Sequence, residues 1–190
     1  MEYRHGVVGD SGTKQYIIVK EFANGGAYCE HIGIDKSKHD YRLVKKVGIE
    51  FARLGEKVKA NPVLHLKSKE YDIIYGALKG TKYYGKNPDL QVGNKFYEVE
   101  SYIRPFKKDK ISGMLSRGLK QSPNLIIDNN KGTSARFIMK IIFDRIRLKQ
   151  NINEIWLFEK SKLTILYKKA EGEQSPPAMC KSVELPSNQI

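Results

Sequence analysis

Residues 88–101, PDLQVGNKFYEVES, read as two short strands folded about a Gly93-Asn94 turn. A two-residue glycine-containing turn between alternating segments is a strong hairpin signal, and it fixes the register. Val92 then faces Lys95, Gln91 faces Phe96, Leu90 faces Tyr97 and Asp89 faces Glu98. Cross-strand partners share a face and side chains alternate along a strand. Leu90, Val92, Tyr97 and Val99 therefore form a core face, and Asp89, Gln91, Glu98 and Glu100 form the other. Three carboxylates converge on one patch.

Working outward, 15–22 and 27–34 read as strands around Asn24-Gly25-Gly26. Asp40 is placed to cap a helix to about Gly55, with Leu43, Val44, Val47, Phe51 and Leu54 at helical spacing. A strand interrupted or edged by Pro62 covers 57–66, and Ser68 caps a short helix over 69–78. Beyond the hairpin (89–92 and 95–103) come a helix over 108–121 and a short buried strand at 124–128. A helix capped by Thr133 or Ser134 runs to about 149, and strands at 154–159 and 162–168 close on Lys160-Ser161. The pattern predicts an α+β (mixed α/β) fold. It is a single domain with a central, mostly antiparallel sheet, three to four flanking helices and an N-terminal β-hairpin. That domain spans 1–169, with the hairpin at 15–35, a core at 40–128 and a C-terminal helix and hairpin at 133–168; a flexible tail is expected over 170–190.

The chain of 190 residues carries 34 Lys and Arg against 21 Asp and Glu, a net charge of +13. Such an excess attracts polyanions, which makes nucleic acid the expected partner. No apolar run reaches the ~20 residues of a membrane helix, so no membrane partner is expected. The start, MEYRHGVVGD, has no apolar signal core, and Cys29 and Cys180 match no metal-ligand spacing. A cytoplasmic location is expected. GxSxG, HExxH, Walker and CxxC patterns do not occur, which argues against hydrolases of those types, zinc proteases and nucleotide triphosphatases.

The carboxylate patch has two chemical uses. Asp89, Glu98 and Glu100 can hold Mg²⁺, which takes oxygen ligands. Crowded carboxylates also resist ionising together, which yields a general base with a raised pKa. Arg104, Lys107, Lys108, Lys110, Arg117 and Lys120 make the next helix basic, and Lys110, Arg117 and Gln121 share one helical face that can approach a phosphate. The loop KGTKYYGK, 79–86, mixes Lys79, Lys82 and Lys86 with two tyrosines, a combination suited to phosphates and stacked bases. His65, just before Lys67, is a candidate acid or base for RNA cleavage. Trp156, inside an apolar strand, reads as core.

The segments KNPDLQVGNKFYEVESY (86–102) and RGLKQSPNLIID (117–128) resemble the C-terminal tRNase toxin domains of contact-dependent growth inhibition systems. Those domains belong to the broader group of barnase, colicin and RelE-like ribonucleases. The matching features are Pro88-Asp89, Glu98-Val99-Glu100-Ser101, Lys120-Gln121-Ser122 and the apolar strand ending in Asp128, within residues 80–168. The first 75 residues resemble uncharacterised proteins of Bacteroidetes mobile elements. Residues 40–128 also resemble the PD-(D/E)xK nuclease core, with Asp89 on its second strand and Glu98 on its third. Glu100 stands where both patterns place a lysine; either Lys67, Lys82 or Lys86 then supplies the cation from elsewhere, or the domain binds without cutting.

The resemblance implies an endoribonuclease acting on tRNA without metal or other cofactor. Glu98 with Glu100 or His65 would be acid and base, and Arg117 would steady the transition state. An immunity protein is a further implied partner. The alternatives are a Mg²⁺-dependent endonuclease on DNA, with Asp89, Glu98 and Glu100 as ligands, and a non-catalytic nucleic-acid or protein binding module of a mobile element.

Overall fold

A computed structural model describes residues 15–148 and 150–170. The tail expected to be flexible lies, from 171 on, outside the described residues. Eight strands make one mixed sheet in the order of the sequence: β1 (Tyr16–Glu21), β2 (Ala27–His31), β3 (Lys57–Ala60), β4 (Leu90–Val92), β5 (Lys95–Ser101), β6 (Asn124–Asp128), β7 (Glu154–Glu159) and β8 (Lys162–Lys168). Four of the seven pairings are antiparallel; β2–β3, β5–β6 and β6–β7 are parallel. The helices are α1 (Tyr41–Arg53), α2 (Lys69–Tyr75), α3 (Lys108–Gly118) and α4 (Ala135–Arg147), with a 3-10 turn at Gly76–Leu78. The α+β class is as expected.

Helices cover both faces of the sheet. On one face Val44, Val47 and Phe51 of α1 pack with Val58, Leu90, Val92, Tyr97 and Val99. On the other, α3 and α4 pack Ile111, Met114, Leu115, Ile138 and Ile141 onto Leu125, Ile127 and Ile155. Beside that core, Tyr71, Ile74 and Tyr75 of α2 cover Phe96. β6 is buried throughout because it runs between two parallel neighbours under helices on both sides, and its sequence is accordingly a near-continuous apolar run. Trp156 is half-buried against the α1 core, edge-on to Phe51.

Local signals placed most elements. The β4–β5 register pairs Leu90 with Tyr97, Gln91 with Phe96 and Val92 with Lys95, as the turn requires. Ser68 Oγ accepts from Tyr71 N at 3.2 Å and Ser134 Oγ from Phe137 N at 3.3 Å, capping α2 and α4. Lys160 and Ser161 both take positive φ, 49° and 59°, as the tight β7–β8 turn demands.

Several elements end earlier than expected: β2 stops at His31 rather than 34, α2 gives way to a 3-10 turn after Tyr75, and β3, α3 and α1 are shorter too. β3 ends at Ala60 rather than 66. Asn61 N still donates to the Asp89 carbonyl at 2.9 Å, but Pro62 has no N–H, and Leu64 N is taken by the Asn87 side chain at 2.9 Å. His65 consequently lies outside any strand, its carbonyl accepting from Ser68 N at 2.9 Å. The third helix stops at Gly118 rather than 121. Ser122 is drawn to the sheet, its Oγ donating to the Phe96 carbonyl at 2.7 Å, and Pro123 disfavours a helical residue before it. α1 ends at Arg53, leaving Leu54 57 % exposed.

Gly48 sets how closely α1 approaches the sheet. A Cβ there would stand 2.4 Å from Cε2 of Tyr28, whose side chain is fully buried. On an open helix, Gly→Ala gains about 1 kcal/mol of helix propensity. Here overpacking at about 1–3 kcal/mol outweighs it. Gly48→Ala is expected to lower the urea midpoint of unfolding; an unchanged or raised midpoint would show that α1 can lift off β2.

Candidate carboxylate site

The carboxylates meet where the hairpin's open end adjoins the end of β3. Pro88 and Asp89 are pinned there by Asn61, whose Nδ2 donates to the Pro88 carbonyl at 3.2 Å while its backbone N–H holds the Asp89 carbonyl. The Asp89 side chain turns across to β5, its Oδ2 accepting from Val99 N at 2.9 Å. Glu98 and Glu100 alternate with Tyr97 and Val99 and so leave the α1 core for the opposite face. That face is not a solvated one. Phe96 lies under α2, and α3 closes on Glu100 at Gly118, where a Cβ would be 3.0 Å from Glu100 Cγ. The carboxylates occupy the seam between these two covers, each half-buried.

This placement makes them reluctant acids. Burial, with added repulsion from Asp40 and Glu100, pushes Asp89 up to about 7 even though the Val99 N–H bond opposes the rise. Burial, then the charges of Asp89, Glu100 and Asp40, pushes Glu98 up to about 9. Burial raises Glu100 as well, and Arg117 pulls it back. Glu98 Oε2 is buried without a hydrogen-bond partner among the described residues. Such an atom wants either a proton or a cation.

Beside Asp89 opens a cavity of about 240 Å³, walled by residues that include Ile34, Lys38, Asp40, Tyr41, Asn61 and Asp89. Among the described residues, no group of three or more His, Cys, Asp or Glu side chains stands ready as a metal ligand set.

The structure thus brings Asp89, Glu98, Glu100 and Arg117 together; Arg117 Nη2 of α3 lies 3.7 Å from Glu100 Oε2. Gln121 falls beyond the end of α3, in the turn closed by its N–H to the Gly118 carbonyl. His65 is exposed, with Nδ1 accepting from Lys67 N at 3.2 Å. In the 79–86 loop, Lys79 lies 3.5 Å from Asp72, and Lys82 sits over the ring of the buried Tyr83. Tyr84 donates to Asp72 at 2.5 Å, and the Lys86 carbonyl accepts from Tyr71. On the helix, Lys108 reaches Asp144 of α4 at 2.6 Å and Lys110 lies 3.8 Å from Asp109. Arg104, Lys107 and Lys120 are exposed.

Two residues were missed as site residues. Asp40, expected to cap α1, makes no side-chain capping bond. Its backbone is in the helical region (φ −87°, ψ −14°), whereas a capping residue is extended. Its carboxylate faces the cavity, and its charge raises both Asp89 and Glu98. Lys38, two residues earlier, lines the same cavity and favours the Asp89 carboxylate. A failed capping bond leaves no trace in sequence, so neither role was visible there.

No family model matches the chain, and no curated protein matches it. Among solved structures, the CdiA-CT/CdiI toxin and immunity complex from Burkholderia pseudomallei is similar, with a TM-score of 0.47 and 14 % identity over 70 % of this chain and 89 % of that chain. Among the described residues no helix is long and apolar enough to cross a membrane.

The raised carboxyls tie stability to pH. For an acid whose folded pKa lies above its unfolded value, stability is fully present below the unfolded pKa and is lost as pH rises through the folded one. For Asp89 and Glu98 that window runs from about 4 to about 9. Glu98→Gln, which cannot ionise, is expected to raise Tm relative to the wild type at pH 9 and to leave it unchanged at pH 4. Equal shifts at both pH values would remove the repulsion from the account.

Proposed function

We propose that this chain is a nuclease that cleaves phosphodiester bonds at the Asp89, Glu98 and Glu100 cluster. One observation carries the reading: Glu98 Oε2 is buried and, among the described residues, unpartnered beside two further carboxylates, one of which, Asp89, lines a cavity, in a protein of net charge +13. Groups held at such cost to folding mark working sites more often than structural ones.

The residues fit a hard divalent cation such as Mg²⁺. Its ligands are carboxylate oxygens, and one or two carboxylates suffice when substrate phosphates and waters complete the shell. Asp89 and Glu98 would hold it, satisfying the orphaned oxygen. When bound, the cation acidifies water and neutralises phosphate charge. Glu100 stays paired to Arg117, whose other guanidinium N–H groups, in no ion pair with another carboxylate among the described residues, would steady a non-bridging phosphate oxygen. The basic surface of α3 draws the polyanion toward the seam.

The crowding of Asp89 and Glu98, each pushed upward by burial and by its acidic neighbours, favours a second reading, metal-independent cleavage of RNA, with tRNA as the first substrate to try. Near neutral pH Asp89 would take the proton of a 2′-hydroxyl as that oxygen bonds to the adjacent phosphorus. Glu98, still protonated, would give its proton to the departing 5′-oxygen, leaving a cyclic phosphate.

The test is cleavage of labelled tRNA, other RNA and duplex DNA in Mg²⁺ or EDTA, beside Glu98→Gln. The wild type is expected to cut in Mg²⁺, and loss of the carboxylate to slow cutting by about 100-fold or more. RNA cleavage that persists in EDTA and is lost in the variant supports the metal-free route. Cleavage of nothing under either condition would sink the nuclease.

A further inference from the structure

Resting on that nuclease reading, we infer that Lys38 is the cation that meets the scissile phosphate, in the role left open by Glu100. The observation is a matter of charge across a cavity. Asp35, Asp40 and Asp89 stand on its walls, and Glu98 and Glu100 are near enough to act on Asp89 or on one another. A phosphodiester entering there adds negative charge to five carboxyl groups. Positive charge on the protein side reaches this place from two directions. Arg117 is paired with Glu100. Lys38 lines the cavity with its charge shared between the carboxylates of Asp35 and Asp89: among the described residues its ammonium is in contact with no carboxylate, while Lys36 and Lys45 nearby are both bound to Glu30 at 3.0 and 3.3 Å.

The local chain explains why Lys38 is presented. Asp35 organises the turn by accepting from Ser37 N at 2.9 Å and Ser37 Oγ at 2.6 Å, and Tyr41 N donates to the Lys38 carbonyl at 3.1 Å. Lys38 is held by its backbone at the entry to α1 with its side chain exposed at the rim. A lysine on a flexible stem acts as a compact point charge with three donors, suited to a phosphate whose charge grows during in-line displacement. It moves no proton and forms no bond to the substrate.

The experiment compares Lys38→Met and Lys38→Arg with the wild type on whichever nucleic acid the wild type cuts, over a pH series. Lys38→Met is expected to lower kcat by about 100-fold, the usual loss when one preorganised donor goes. KM should stay within about 3-fold, because the group acts on the transition state. Lys38→Arg should restore most of kcat. The side chain is exposed, so both variants should fold; Lys38→Arg, which keeps the charge beside Asp35 and Asp89, should melt with the wild type, and Lys38→Met slightly below it. Lys38→Met with wild-type kcat overturns the inference and leaves the nuclease standing, as does a loss confined to KM, which marks simple attraction. A wild type that cuts nothing fails the nuclease reading and takes this inference with it.

Discussion

The register of β4 on β5 is the constraint on which the rest depends. Leu90 opposite Tyr97 and Val92 opposite Lys95 put four apolar side chains under α1. A slip by one residue would carry Glu98 and Glu100 into that core and expose Tyr97 and Val99. The penalty for burying two carboxylates is far larger than any turn energy, so register, core and site are a single choice. Asn61 and the Asp89 side chain lock the open end of the hairpin, one from just past β3 and one across to Val99.

That end of the sheet works against folding elsewhere. A protein with 34 basic residues could neutralise its buried acids cheaply, and in several places it does so. Glu30 has Lys36 and Lys45, Glu154 has Lys95, and Asp144 has Lys108 and Arg147. Asp89 and Glu98 have no such contact among the described residues. Stability has been spent here where nearby elements show how easily it is kept, which is the pattern expected where a site must bind charge rather than hide it.

What was legible in the sequence was what local chemistry decides. The Gly93-Asn94 turn, the serine caps of α2 and α4, the apolar run of β6 and the Lys160-Ser161 turn each act over a few residues, and each was placed correctly. The convergence of Asp89, Glu98 and Glu100 followed from one turn and the period of a strand. Features set by distant segments were not legible. The early end of β3 depends on Asn87, far along the chain, taking the N–H of Leu64. Arg117 reaches Glu100, but Gln121 cannot share its helical face, because Ser122 is pulled to the Phe96 carbonyl and the helix has already ended. Asp40 and Lys38 join the site only because α1 begins beside the end of β3.

The strands also lie side by side in the order in which they occur along the chain. Each strand's partners in space are the ones made just before and just after it, so no strand waits for a distant segment before it can pair. The sheet can be laid down as the polypeptide emerges from the ribosome, one edge advancing. Lys38, Asp40, Asp89, Glu98, Glu100 and Arg117 all precede β6. The charged cluster is complete in sequence before the second half of the α3–α4 core exists, and the late elements α4, β7 and β8 then close over a sheet whose difficult electrostatics are already in place.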